Sequence, residues 1–138
     1  MMTTKLNCVL LIDDDMATNF INKKVIEKVS ATCHIATVLN GREAIDYLTK
    51  SGKYENLDCP KPQIILLDIN MPIMDGWEFI EIYKNIDINE KADTKIIMLT
   101  TSFNPDDKIK AEKMTEISEF RYKPLTVGVF NEIVSQYL

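Results

Sequence analysis

The sequence predicts an α/β domain of five strand–helix units, doubly wound so that helices cover both faces of a five-stranded parallel sheet. Three observations carry this reading. Short apolar runs recur along the chain, segments of helical periodicity separate them, and the alternation spans nearly the whole length. A strand that passes through a helix to a parallel neighbour crosses over right-handed, which distributes the helices to both sides.

Each element has a local justification. Residues 8–12 form an apolar run ended by Asp13, Asp14 and Asp15. Phe20, Ile21, Val25, Ile26 and Val29 then fall on one predicted helix face. Residues 33–38 make a mixed second strand, followed by a helix with Ala44, Ile45 and Leu48. Asn40 stands at its cap, with Glu43 three residues on in capping-box spacing. The third strand is residues 64–67 and its helix carries Phe79, Ile80 and Tyr83, with Trp77 at the helix surface. Residues 96–99 make the fourth strand. Asn104, Pro105, Asp106 and Asp107 open a sparse helix expected over 106–115. Residues 120–122 are the fifth strand, and Thr126 caps a last helix bearing Val129, Phe130, Ile133, Val134 and Tyr137. The wholly apolar runs suit strands buried on both faces, while the mixed runs at 33–38 and 120–122 suit sheet edges. Residues 51–62 and 87–94 read as polar surface loops. One domain over residues 1–138 accounts for the pattern.

Composition narrows the function. Sixteen Lys and Arg against 21 Asp and Glu give a net charge of −5, which argues against direct nucleic-acid binding. Four scattered glycines exclude the glycine-rich loops that cradle nucleotide phosphates. Cys8, Cys33 and Cys59 make an odd set with no C-x-x-C pair, as expected of reduced thiols in a cytoplasm. Cys8 and Cys33 read as core residues and Cys59 as a loop thiol. His34, the lone histidine, reads as structural. No apolar stretch is long enough for a signal peptide or a membrane span.

Doubly wound sheets bind ligands beyond the carboxyl ends of their strands. The residues there are Asp13 and Asp14 after the first strand, Asp68 after the third, Thr100 after the fourth and Lys123 before Pro124 after the fifth. Several carboxylates at one mouth repel one another unless a cation or protons intervene, and hard oxygen donors suit Mg²⁺. Asp15 fits better as the start of the first helix. Acids, a metal ion, an ammonium and a hydroxyl together describe a phosphoryl-transfer site in which a carboxylate acts as nucleophile.

Four separated motifs now carry a resemblance. They are Leu11-Ile12-Asp13-Asp14-Asp15, the run from Leu66 through Asp68, Asn70 and Met71-Pro72 to Asp75-Gly76, then Met98-Leu99-Thr100, and Tyr122-Lys123-Pro124. In order and spacing they resemble the receiver domains of two-component response regulators. The resemblance implies strand order 2-1-3-4-5, the flavodoxin-like arrangement, and Asp68 as phosphoacceptor. It implies Mg²⁺ held by Asp14, Asp68 and the Asn70 carbonyl, with Asp13 acting through water. Thr100 would be the switch hydroxyl, Lys123 the phosphoryl-binding cation, and Lys123–Pro124 a cis peptide. Asn70 and Ser102 occupy positions where the family tunes phosphate lifetime. The implied partners are a sensor histidine kinase or phosphotransfer protein, and an output partner on the face of the fourth helix, fifth strand and fifth helix. Such a domain catalyses its own phosphorylation and dephosphorylation without being a conventional enzyme.

Two positions depart from the family pattern. Phe120 stands where an aromatic switch residue is commonly Tyr, and Thr115-Glu116-Ile117 replaces a small-residue turn. Two other readings compete. A flavodoxin-like FMN carrier needs a hydroxyl- and glycine-rich first loop, where this chain has three acids. A degenerate receiver acting only as an interaction module would not need the full set of acids, hydroxyl and lysine. The sequence is compatible with a stand-alone receiver or a piece of a longer protein.

Overall fold

The computed structural model describes residues 6–86 and 93–138, so most of the predicted loop at 87–94 lies outside the described residues. In order, the chain forms β1 (Cys8–Ile12), α1 (Met16–Val29), β2 (His34–Val38), α2 (Gly41–Thr49), β3 (Ile64–Leu67) and α3 (Gly76–Tyr83). It continues through β4 (Lys95–Thr100), α4 (Pro105–Glu112), β5 (Ile117–Tyr122) and α5 (Val127–Tyr137). Neighbouring strands pair in parallel in the order β2-β1-β3-β4-β5.

Every residue of β1 and β3 is buried, because both faces of the central strands are covered. Side chains alternate across the sheet. Leu10, Ile12, Ile65, Leu67, Ile96 and Met98 meet Ala44, Phe79, Ile80 and Ala111 from α2, α3 and α4. Val9, Leu11, Ile64, Leu66, Ile97 and Leu99 meet Ile26, Phe130 and Ile133 from α1 and α5. Burying each such side chain stabilises by about 1.5–3 kcal/mol, so these two layers hold the strand ends in place.

Among the described residues the five α-helices share one starting device, a side-chain oxygen that accepts a backbone N–H in the first turn. Asn40, Asn104 and Thr126 do this as predicted, accepting from Glu43, Asp106 and Val129. The capping box expected at Asn40 is only half made. Glu43 accepts from the Asn40 side-chain amide at 3.4 Å and not from its backbone. The reciprocal box closes instead at Asp75 and Glu78, with N–H to carboxylate distances of 2.9 and 3.1 Å.

Four further differences have physical causes. The predicted α1 face is turned at its N-terminal half, where Phe20 and Ile21 are 61% and 58% exposed while Asn19 and Asn22 are buried. That half lies over the polar strand ends and not over the apolar layer. The fourth helix ends at Glu112, three residues early, as Lys113 and Met114 tighten to i−3 hydrogen bonds on Lys110 and Ala111. The fifth strand starts earlier than its apolar signal, at Ile117. A register shift sets Ile96 against Ile117 and Ile97 against Glu119, leaving Ser118 as an extra residue. Cys59 lies in a loop but is buried in the core, and residues 52–54 of that loop form a 3₁₀ turn.

Phe79 is fully buried beneath the sheet. Phe79→Ala is expected to lower the unfolding free energy by about 3–5 kcal/mol, read as a reduced urea midpoint at unchanged m-value. A loss below about 1 kcal/mol would show that this layer does not hold the fold.

Candidate functional site

Four strand ends open on one mouth. Asp13 follows β1, Asp68 follows β3, Thr100 is the last residue of β4, and Lys123 follows β5. Asp13, Asp68 and Thr100 are buried, while Asp14 is exposed. Carboxylate oxygens of Asp13, Asp14 and Asp68 all lie within 4.8 Å of one another. The Lys123 ammonium donates a short hydrogen bond to Asp13 Oδ2 and sits 3.5 Å from Asp68 Oδ1.

The backbone supports this convergence. The N–H of Asp68 donates to the Ile12 carbonyl at 2.9 Å, that of Asp13 to the Val38 carbonyl at 3.1 Å, and that of Lys123 to the Thr100 carbonyl at 2.8 Å. Lys123–Pro124 is cis, as the resemblance implied. Gly76 is required where α3 starts, because a Cβ there would lie 2.5 Å from the Asp68 carbonyl oxygen. Its N–H donates to the Ile69 carbonyl, closing the loop after Asp68.

The charges perturb one another as a crowded, half-dry site requires. Burial pushes the Asp68 carboxyl up to about 6, with Asp13 adding to the rise and Lys123 opposing it. Burial works against the Lys123 charge, yet the hydrogen bond to Asp13 and the carboxylates of Asp68 and Asp13 hold it above the ordinary lysine range. Asp15 stands apart as predicted. It caps α1, and hydrogen bonds from the Thr18 hydroxyl and the Ala17 N–H keep its carboxyl low.

The other predicted residues surround the cluster. Asn70 is exposed in the loop two residues beyond Asp68. Thr100 Oγ1 accepts from the Ser102 N–H at 3.0 Å, and the Ser102 hydroxyl donates to Asp107 of α4 at 2.6 Å. Phe120 is half-buried and packs edge-to-face on Tyr122, which stacks on Phe103 at 5.0 Å between ring centroids. His34 is an exposed residue of the edge strand β2, far from the mouth in register.

Two contributors escaped the sequence reading. Asn19 sends its side-chain N–H groups to the Asp13 carbonyl at 2.9 Å and the Val38 carbonyl at 3.5 Å, tying β1 and β2 together beside the site. Asp107 holds the loop after Thr100. An asparagine inside an amphipathic helix and an acid in a first helical turn both have ordinary surface explanations, so neither carried a signal.

Hard carboxylate oxygens with one compensating ammonium fit a small divalent cation such as Mg²⁺, since −3 + 1 leaves −2 at the cluster. Fold and mouth together define a class: a phosphoryl-accepting switch built on a doubly wound sheet. The chain belongs to the response regulator receiver domain family, whose sequence profile matches residues 9–135. It is similar to Response regulator Rcp1 of Synechocystis, 33% identical over 107 residues that cover 77% of this chain and 69% of Rcp1. Among solved structures it resembles a two-component response regulator from Cytophaga hutchinsonii, with TM-score 0.83, 34% identity and coverage of 97% and 98%. It also resembles the Mn²⁺-bound form of Rcp1, with TM-score 0.73, 28% identity and coverage of 94% and 90%. It is a phosphoacceptor receiver. Among the described residues no helix is long and apolar enough to cross a membrane.

The raised Asp68 carboxyl has a signed consequence. An acid with a native pKa above its unfolded value binds more protons folded than unfolded, so its ionisation costs stability as pH rises from 3.8 toward about 6. Without divalent cations, Asp68→Asn should gain on the wild type across that window by on the order of 1–3 kcal/mol, solvent at the mouth screening part of the effect. Urea unfolding at pH 4 and pH 7 measures the gap, and an equal gap at both values contradicts it.

Proposed function

We propose that Asp68 is the residue that accepts the phosphoryl group, from a phosphohistidine on a sensor histidine kinase or phosphotransfer protein. The observation that carries this is the position of Asp68 itself. It is a buried carboxylate with Lys123 at 3.5 Å and two further acids within 4.8 Å, at the centre of the only mouth where four strand ends deliver reactive groups among the described residues.

A carboxylate oxygen of Asp68 forms the new O–P bond while the P–N bond of the phosphohistidine breaks and the leaving imidazole keeps the electron pair. Asp13, Asp14, Asp68 and the Asn70 carbonyl are the groups that would hold Mg²⁺, Asp13 through water. Mg²⁺ supplies charge neutralisation to the phosphoryl oxygens when bound. Lys123 exchanges part of its pairing with Asp13 and Asp68 for a phosphoryl oxygen. The Thr100 hydroxyl turns inward to donate to another, giving up its present role as acceptor for the Ser102 N–H. Phe120 is the aromatic residue that repacks as Thr100 moves.

The output partner docks on the α4-β5-α5 face, where Phe103, Ile109 and Tyr122 are exposed. The reading covers residues 1–138 as one receiver domain, working in the cytoplasm without membrane insertion or direct nucleic-acid contact. It catalyses its own phosphorylation and dephosphorylation. The three acids after β1 weigh against an FMN carrier, and the complete set of reactive groups weighs against a degenerate receiver.

Incubation with acetyl phosphate and Mg²⁺ is expected to add one phosphoryl group to the wild type, seen as a mass increase that is lost with EDTA. Asp68→Asn should abolish it. Labelling of Asp68→Asn at the wild-type level would overturn the assignment.

A further inference from the structure

We infer that Asn19 is a positioning residue for the acid cluster, acting through one water molecule held in a chamber beneath Asp13 and Asp68. The inference rests on the Mg²⁺-dependent reading above and adds to it a residue outside the motifs.

The chamber has a volume of about 10 Å³ available to a water centre, room for one molecule. Its polar wall is Asp13, Asn19, Asn22 and Asp68, and Leu11 and Leu66 contribute to the apolar floor. Asn19 and Asn22 come from the turned half of α1, 4% and 6% exposed, and so present amides where a core helix would present methyl groups.

The orientation of the Asn19 amide follows from its partners. Both groups near its nitrogen are backbone carbonyls, of Asp13 and Val38, and carbonyls only accept. The nitrogen must therefore face them and Oδ1 must face elsewhere. Oδ1 is buried and meets no hydrogen-bond donor among the described residues. Asp13 and Asp68 line the same chamber, and their carboxylates also only accept when ionised. Acceptors facing one another across a gap of this size need a molecule with two hydrogens to donate, and water is the one that fits. It donates to Asn19 Oδ1 and to a carboxylate of the Asp13–Asp68 pair, in a chamber that Asn22 also lines.

The consequence is mechanical. The Asp13 carboxylate is already fixed from outside by Lys123 and by the Asp15 N–H at 2.9 Å. The water fixes the acid pair from beneath, so that the oxygens keep their direction before a cation arrives. Partners of this kind, one step removed from a metal, typically govern affinity by 10–100-fold.

Two measurements test this. A high-resolution crystal structure of the Mg²⁺-free wild type is expected to show one ordered water within hydrogen-bond distance of Asn19 Oδ1 and of an Asp13 or Asp68 carboxylate oxygen. Calorimetric titration with Mg²⁺ should give Asn19→Leu, with the same heavy-atom count and branching but no polar atoms, an affinity about tenfold or more below wild type. Circular dichroism verifies that the variant is folded at the assay temperature. Asn19→Ser, which keeps a hydroxyl and admits a second water, should stay within about threefold of wild type. An empty chamber overturns the proposal, as does an Asn19→Leu variant that binds Mg²⁺ like the wild type. A wild type that gives no heat with Mg²⁺ would defeat the metal reading instead, and the crystal structure alone would then decide the water.

Discussion

Three carboxylates within 4.8 Å of one another repel, and two of them are buried where water screens poorly. The ammonium of Lys123, bonded to Asp13 and 3.5 Å from Asp68, is the charge that lets the sheet keep them there. Much else follows from that contact. Lys123 has to arrive from β5, the edge strand, so the sheet must deliver its fifth strand end to the same mouth as β1 and β3. The N–H of Lys123 bonded to the Thr100 carbonyl sets this position, and the two apolar layers hold the strands that carry the acids. Breaking a buried pair by removing one partner leaves the other uncompensated, which is why the lysine is structural and chemical at once.

The same contact is the start of a chain of contacts that leads from the mouth to the surface. On the proposed function a phosphoryl oxygen takes over part of the Lys123 pairing, and the stretch joining β4 to α4 is the next element to respond. Thr100 is tied to Ser102, and Ser102 to Asp107 in α4. The following residue, Phe103, stacks on Tyr122, which packs on Phe120. Each link is a discrete contact that is made or broken, so motion of one hydroxyl can be expressed as repacking of exposed rings. On the proposed function the absence of a hydroxyl on Phe120 matters less in this setting. Its neighbour Tyr122 supplies a second ring to the same stack, and the pair couples through packing.

Legibility in the sequence tracked how uniform each environment is. β1, β3 and β4 were readable because strands covered on both faces must be apolar throughout, and the helix caps because short oxygens have one local use. The site acids were readable because strand ends are where such sheets act. Three features were not. Ser118 looks like an interruption of β5, and only pairing with β4 reveals that the strand accommodates it as a bulge. Asp75 and Glu78 make the reciprocal cap that Asn40 and Glu43 had seemed to promise, a choice set by side-chain geometry and not by spacing. The inward face of α1 was misassigned because periodicity counts apolar residues, whereas the surface that this helix covers changes from apolar to polar along its length.

That misassignment locates where function outweighs packing. A helix selected for stability alone would bury Phe20 and Ile21 and expose Asn19 and Asn22, yet α1 does the reverse over its first two turns. The exposed Phe20 ring and Ile21 side chain forgo several kcal/mol of burial at the usual scale. The rotation places the Asn19 amide against the Asp13 and Val38 carbonyls, where an apolar side chain would take away the side-chain donor of the Asp13 carbonyl and leave Val38 only the Asp13 N–H. It also leaves Met16, Phe20 and Ile21 facing solvent, so the first two turns of α1 serve both the buried polar site and the open surface. The acid cluster, raised Asp68 carboxyl and inverted helix face are thus three expressions of one arrangement. Charge is held in the fold at a cost to stability, as the proposed meeting of a cation and a phosphoryl group at these acids requires.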